Sequence, residues 1–343
     1  MSRIGFLQKT MACALALGAT VGSALADTAE RAFFEDKTIR LIVGYSPGGG
    51  YDIYARMIAP YLRKYLKATV VVENKPGAGG ITALNGIAIA PPDGLQIMLV
   101  KGNAAIMAQL TGQTGVRYDM QKLNFLGGTG VSPDTLVVGP SSPVRSVTDL
   151  TKRQDTMLWA ATGPMDGLSD GAALTCQAFS IKCKIIMGYR TTNDAALALA
   201  RGESEGMLTN ESSAFNYVKG ETVRVVAIMG HKRSRFFPNT PTIFETPGLT
   251  DEQKFWFDFR ANVDVFGRVL VTPPGMSKER LAFMQAAAKS AMTDPDLIAE
   301  GEKTMRYIEY QDAETIRKLQ ETIFRQIDTP TRTKINAMMK NFE

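Results

Sequence analysis

The sequence predicts an α/β protein of two domains, each a mainly parallel sheet flanked by helices, and three observations carry that expectation. An apolar run, Ile39 to Val43, ends in a Gly/Pro-rich turn, Gly44 to Gly50. A helical pattern follows, with Ile53, Met57, Ile58 and Tyr61 at spacings of about four and three. The grammar then repeats: Val70 to Val72 is apolar, Pro76 to Gly80 is a second glycine turn, and another helical stretch follows. Strand, glycine turn, helix, twice over, describes an open parallel sheet with both turns at the carboxyl edge of its strands. The length, 343 residues, suits two domains that each bury a core.

Ahead of this frame lies a leader. Arg3 and Lys9 make a basic start, Met11 to Leu17 is apolar, and Ala24-Leu25-Ala26 is a small-x-small cleavage signal. Residues 1–26 therefore read as a secretory signal peptide cut after Ala26. Its apolar core is too short to span a bilayer, and no later segment reaches membrane length. Thr10-Met11-Ala12 before Cys13 is a poor lipoprotein signal. The expectation is a periplasmic protein, exported across the inner membrane. Removing the leader takes away two cations and no acid, so the formal charge falls from +5 to +3. With so modest an excess, and no basic stripe interleaved with aromatics, no nucleic-acid partner is expected. The chain is expected to act as a monomer.

Asp27 to Lys37 is a polar lead-in. Beyond the two glycine turns, Pro91-Pro92-Asp93-Gly94 leads into a third apolar run, Ile97 to Val100. Lys101-Gly102-Asn103-Ala104 should then join the same sheet edge. The texture changes at Gly127-Gly128-Thr129-Gly130, so residues 27–134 are assigned to the first lobe and 135–250 to the second. Second-lobe strands are read at Thr135 to Val138, Leu158 to Ala161, Lys184 to Gly188, Met207 to Asn210 and Val223 to Met229. Helices are read at Leu168 to Phe179 and Ala195 to Ala200. Residues 251–343 return to the first lobe. There Pro273-Pro274-Gly275 opens a helix with Leu281, Met284 and Ala288 on one face, and Asp294 caps a short helix from Pro295. A last long helix after Asp312 carries Ile316, Leu319, Ile323 and Ile327. These final helices read as a buttress on the first lobe. Cys176 falls late in a helix and Cys183 at the entry of the next strand. A bridge suits an oxidising compartment, two buried thiols suit the pattern nearly as well, and geometry decides.

At a strand-to-helix turn the first N–H groups of the helix are unpaired and lie beside the positive end of its dipole. Glycines let a ligand approach that backbone, so the two turns predict an anion site. A nucleotide is disfavoured. Gly48-Gly49-Gly50 lacks the Gly-Lys-Ser/Thr of a phosphate-binding loop, and Ile53 and Thr82 stand where a dinucleotide fingerprint needs its third glycine or alanine. Asn103 is a candidate for a direct ligand hydrogen bond, with a helix cap as the simpler reading.

Several fragments together resemble one family, the periplasmic solute-binding proteins of tripartite tricarboxylate transporters, often called Bug receptors. They are Pro47-Gly48-Gly49-Gly50-Tyr51-Asp52, Glu73-Asn74-Lys75-Pro76-Gly77-Ala78-Gly79-Gly80, the Pro92-Asp93-Gly94 turn, Tyr189-Arg190 with Asp194, and Gly202-Glu203-Ser204-Glu205. Lys232-Arg233-Ser234 through Pro238 to Glu245, and Thr272-Pro273-Pro274-Gly275, extend the match over essentially the whole mature chain. The resemblance implies a two-lobed venus-flytrap fold that closes on a small carboxylate and delivers it to integral membrane transporter subunits. It implies first-lobe ligand contacts from Ser46, Pro47, Gly48, Gly49, Asp52, Ala78, Gly79 and Gly80. From the second lobe it implies Thr162, Gly163, Arg190, Thr191, Thr192, Asp194 and Asn210. Two departures fall where the distal end of a ligand would sit: Thr162-Gly163-Pro164-Met165-Asp166 replaces the usual Ser-Gly-x-Gly-Ser, and Tyr189-Arg190-Thr191 replaces Tyr-Lys-Gly. Asp166 with Arg190 reads as a solvated ion pair rather than a specificity pair. Asp52 reads as a brace of its own turn. Tyr45, Tyr51, Trp159, Tyr189 and Phe215 are assigned mostly to core packing rather than to an aromatic-acid pocket.

An exported hydrolase is the rival reading, and a ligand-sensing accessory protein a further alternative. Gly44-Tyr45-Ser46-Pro47-Gly48 matches Gly-x-Ser-x-Gly after a strand, but Pro47 has no N–H to give an oxyanion hole. The single histidine, His231, falls in a basic loop of the other lobe with no evident acid partner. One histidine and no clustered ligand spacing predict no metal. No catalytic residue and no cofactor are expected.

Overall fold

The computed structural model describes residues 28–130, 133–163 and 167–340. The leader expected at 1–26 and the loop residue Asp166 lie outside these. After a short helix, α1 (28–34), come β1 (Thr38–Val43), α2 (Gly50–Leu66), β2 (Thr69–Asn74), α3 (Ile81–Ala88), β3 (Gln96–Lys101), α4 (Gly102–Thr111) and β4 (Asn124–Gly128). A second run comprises β5 (Asp134–Val138), α5 (Val147–Thr151), β6 (Met157–Ala160), α6 (Leu168–Phe179), β7 (Cys183–Ile186), α7 (Thr192–Ala200), β8 (Gly206–Asn210), α8 (Glu211–Lys219) and β9 (Arg224–Ile228). The chain then forms α9 (Asp251–Asp264), β10 (Arg268–Thr272), α10 (Lys278–Met292), α11 (Pro295–Lys303), α12 (Ala313–Gln326) and α13 (Thr329–Lys340).

Two five-stranded sheets result, in the orders β2-β1-β3-β10-β4 and β7-β6-β8-β5-β9. In the first, β1 pairs parallel with β2 and β3, while β10 runs antiparallel between β3 and β4. In the second, β6 pairs parallel with β7 and β8, while β5 runs antiparallel between β8 and β9. The two odd strands have one cause. β4 and β9 end at the carboxyl edge of their own sheets, and the chain crosses to the other lobe from there. A strand entering from that edge must run away from it. The lobes therefore face each other with their carboxyl edges, where ligands of open α/β sheets bind.

The interior strands are apolar throughout because helices cover both faces: Ile97, Met98, Leu99 and Val100 of β3 are all buried. β4, α9, β10 and α13 are elements that the sequence reading does not single out. β4 reads as a glycine loop, yet Gly127 packs under Tyr310 and Met292, where a Cβ would stand 2.8 and 2.9 Å away, and Gly128 lies close to Gln311. One apolar cluster runs from Met98, Ile106 and Phe266 through Trp256 and Phe257 of α9 to Leu174, Trp159 and Leu208 of the second lobe. α12 packs on β4, whereas α13 packs on both α4 and α6. The last helix thus joins the lobes at the back rather than only buttressing the first. Cys176 and Cys183 are bridged, with Cα atoms 6.2 Å apart, which ties the end of α6 to the start of β7.

Candidate functional site

The first glycine turn is held by a brace. Asp52, in the first turn of α2 and 3 % exposed, accepts from Gly48 N–H at 2.9 Å, Arg56 Nε at 3.0 Å and Asn74 Nδ2 at 3.0 Å. Asn74 also donates to the carbonyl of Tyr45 at 3.0 Å, so β1, β2 and α2 are tied at one point. Burial alone would raise the Asp52 carboxyl, but the hydrogen bonds from Arg56, Gly48 and Asn74 outweigh it and hold the carboxyl below its usual range. α2 starts at Gly50 with Gly49 as its cap residue, and no side chain caps its first amides.

The second glycine turn lies behind the first. Tyr45 OH donates to the carbonyl of Gly79 at 3.0 Å. A Cβ on Gly44 would stand 2.7 Å from the Cα of Gly80, so the two turns touch backbone to backbone. Gly79 and Gly80, with Ile81, Leu84, Met98 and Ala104, line a small chamber of their own.

Between the lobes lies a cleft of about 610 Å³, including its open mouth. Its first-lobe wall is Tyr45, Ser46, Gly49, Gly50, Tyr51 and Lys101, and its second-lobe wall is Thr162, Leu168, Arg190, Thr191, Thr192, Thr209, Asn210 and Ser213. Several second-lobe side chains hold the starts of helices. Thr191 Oγ1 accepts from Asp194 N–H at 3.1 Å to cap α7, and Asn210 Oδ1 accepts from Ser213 N–H at 3.0 Å to cap α8. Arg190 Nε lies 3.4 Å from Asp194, and its side chain is 80 % exposed.

Of the residues expected from sequence, Ser46, Gly49, Thr162, Arg190, Thr191, Thr192 and Asn210 line this cleft. Gly79 and Gly80 line the chamber behind Tyr45 instead. Pro47, Gly48, Asp52, Ala78, Gly163 and Asp194 stand in the surrounding turns without lining the cleft. Asn103 is not brought to it: the side chain is buried, donating to Asp264 Oδ1 at 2.6 Å and accepting from Ala104 N–H at 2.8 Å. Sequence reasoning omitted Gly50, Lys101, Leu168, Thr209 and Ser213 as ligand contacts, and gave Tyr45 and Tyr51 mostly to the core. These two tyrosines pack together at 5.2 Å and also wall the cleft. Lys101 left a signal, a cation directly after the apolar run Ile97 to Val100 at the ligand-facing edge.

Behind the cleft sits a buried ionic cluster. The Arg260 guanidinium of α9 pairs with Asp134 at the start of β5, with Asp170 of α6 at 2.9 Å and with Asp264 at 3.0 Å. All four side chains are at most 4 % exposed. Through Asn103 the cluster reaches α4, so it links both lobes at their crossing. Arg268 is buried nearby, its guanidinium 3.9 Å from the Tyr54 ring and 5.4 Å from that of Tyr51. Burial pushes the Asp264 carboxyl up to about 7 against the opposing pull of Arg260, with the negative charge of Asp134 adding to the rise.

His231 stacks on Phe244 at 4.3 Å and lies 3.4 Å from Asp258, an acid neighbour that the sequence did not suggest. Neither residue lines the cleft that contains Ser46. Among the described residues no group of three or more His, Cys, Asp or Glu is arranged to hold a metal ion. Among them, too, no helix is long and apolar enough to cross a membrane.

The family model described as tripartite tricarboxylate transporter family receptor matches residues 54–328. A Cupriavidus necator protein, the UPF0065 protein in the gbd 5' region, is 27% identical over 331 residues, 93% of this chain and 94% of that one. BugT of Bordetella pertussis is 26% identical over 231 residues, covering 66% of this chain and 70% of its own. Among solved structures, MatC from Rhodopseudomonas palustris with bound malate superposes with a TM-score of 0.72 at 18% identity, covering 88% of this chain and 99% of its own. The periplasmic binding protein BugD gives 0.71 at 21% identity, covering 90% and 99%. A second R. palustris protein, solved with adipate, gives 0.72 at 18%, covering 89% and 97%. The fold is that of the two-lobed periplasmic binding proteins.

Proposed function

Because the chain belongs to the tripartite tricarboxylate transporter receptor family, we propose that it binds a small carboxylate between its lobes and delivers it to the membrane subunits of such a transporter. The observation that carries this reading is the character of the cleft. Its described lining residues include two cations, Lys101 and Arg190, one on each lobe, many hydroxyls and no acid. An anion entering there gains charge-assisted hydrogen bonds, whereas a cation meets like charge. The malate and adipate held by the two R. palustris proteins fit the same ligand class.

In this reading the uncapped start of α2 and Ser46 hold a carboxylate from the first lobe. Arg190, Thr191, Thr192 and Asn210 meet the ligand from the second. Only a closed form makes both sets of contacts, so ligand shifts the population toward closure, and the membrane subunits recognise the closed surface. Asp52 acts one step away, fixing the turn that presents the amides. The relatives are solute-binding receptors, and this chain works as one rather than as an enzyme. Export follows from the leader, with cleavage after Ala26.

The test is a thermal-shift screen of residues 27–343 against di- and tricarboxylates, aromatic acids, amino acids and sugar acids, each beside its neutral amide. A saturable rise in Tm with an acid and none with its amide is expected. A well-folded sample that responds to no acid would overturn the carboxylate reading while leaving fold and family in place.

A further inference from the structure

The loop after β9 contributes nothing to the cleft lining, yet it crosses to the opposite lobe. Its conformation is set within the second lobe. Ser234, 4 % exposed, donates to Glu211 Oε2 at 2.5 Å and accepts from Phe236 N–H at 3.0 Å, while Arg233 pairs with Glu245. The next two side chains reach outward. Arg235 forms an ion pair with Glu309, and its guanidinium lies 4.0 Å from the centre of the Tyr307 ring. Phe236 packs edge-on against the same ring at 5.0 Å and against Phe215 of α8 at 5.4 Å.

Tyr307 and Glu309 are fixed to the first lobe. Glu309 N–H donates to the carbonyl of Thr129 and Gln311 N–H to that of Gly128, both at 2.9 Å, and Tyr54 OH of α2 donates to the carbonyl of Tyr307 at 3.4 Å. The contact therefore joins the two lobes directly, and it lies beside the cleft. On α2, Tyr51 lines the cleft, and Tyr54, one turn on, lines the small chamber that Arg235, Phe236, Tyr307 and Glu309 enclose. On the second lobe, Asn210 lines the cleft, and its neighbour Glu211 holds Ser234. Each ligand wall thus stands within a turn of an anchor of this contact.

We propose that Arg235 and Phe236 are positioning residues that clasp the lobes together, gripping Tyr307 and Glu309 without touching what the cleft binds. The inference rests on the closing motion of the reading above and adds the element that sets its balance. Arg235 is 44 % and Glu309 61 % exposed, so their ion pair alone is weak, and the cation over the Tyr307 ring adds a comparable amount. Together they bias an open–closed equilibrium without locking it.

The experiment measures the distance between the lobes in residues 27–343 by electron–electron resonance of two spin labels. They are carried by Arg63→Cys near the end of α2 and Lys219→Cys at the end of α8, both exposed, the native Cys176 and Cys183 being bridged. Spectra are taken without ligand and with millimolar malate or adipate. The labelled parent should show a short, closed component. Arg235→Gln and Glu309→Gln should each lower the closed-to-open ratio about three- to tenfold, and Phe236→Ala about threefold. Arg235→Glu combined with Glu309→Arg should recover most of what either reversal alone removes. High salt should shrink the closed component of the parent and leave that of Arg235→Gln unchanged. A merely structural contact would lower Tm and leave the ratio alone, a result that overturns the proposal, as does a parent with no closed component under any of these conditions. Acids that fail to move the parent, while the variants do move it, would count against the carboxylate reading and leave the clasp standing.

Discussion

Replacing Arg260 by methionine removes one buried cation and leaves Asp134, Asp170 and Asp264 facing one another in a site at most 4 % exposed. Breaking a buried ion pair by removing one partner costs roughly 3–5 kcal/mol, because the charges left behind are uncompensated. The loss should depend on pH in a defined direction. Burial already raises the Asp264 carboxyl against the pull of Arg260, so without the guanidinium it rises further and the folded protein binds more protons than the unfolded one. Stability is then fully present below the unfolded pKa of about 3.9 and is lost as pH rises through the raised values. Wild type should already show a weak form of this slope, since Asp264 is pushed up to about 7. Its stability should fall between about pH 4 and 7 and level off above, and Asp264→Asn should flatten that fall. Urea unfolding at pH 5 and pH 8, followed by the fluorescence of Trp159 and Trp256, measures both effects. A loss below about 1 kcal/mol at pH 8, or an equal loss at both pH values, would refute the assignment of Arg260 as the cation that holds these carboxylates together.

The disulfide closes a short loop, with Cys176 and Cys183 seven positions apart. Chain entropy gives it about 2.5 kcal/mol, so the Cys176→Ser/Cys183→Ser protein should lose that much in guanidinium unfolding, and reductant should bring wild type to the same midpoint. Gly44→Ala puts a Cβ 2.7 Å from the Cα of Gly80, backbone against backbone, where no side chain can give way. It should cost about 1–3 kcal/mol and separate the two glycine turns, read as a lower Tm with weaker ligand binding; unchanged values would mean the turns part freely.

Much of the frame was legible because strands and turns carry local signals. β1, β2 and β3 are apolar runs between Gly/Pro punctuation, and the helix after Asp312 shows its face in Ile316, Leu319, Ile323 and Ile327. β4 and β10 were not, and the reason is tertiary. In Asn124-Phe125-Leu126-Gly127-Gly128 the glycines mimic a loop, yet they are small because Tyr310, Met292 and Gln311 press on them. In β10, Arg268 breaks the apolar signature, yet it is buried and lies over Tyr54 at 3.9 Å. α13 went unread for the same reason, since only its seat on both α4 and α6 gives it a role.

The site divides along the same line. Residues whose role is set by a local turn were found in place: Thr191 and Asn210 cap helices that begin at the cleft, and Ser46 and Gly49 precede α2. Residues whose role depends on partners far along the chain were misread. Asn103 has the composition of a ligand contact but is committed to Asp264, 161 positions away. Lys101 was placed at the ligand-facing edge but not named as a ligand contact, and its Nζ lies against Gly167 of the other lobe, 66 positions along the chain. The same contrast separates the two charged centres of this protein. Arg260 meets three carboxylates from its own chain, so its charge is spent on holding the lobes together. Lys101 and Arg190 line a cleft with no acid among its described lining residues, so the field in the cleft favours an anion over a cation.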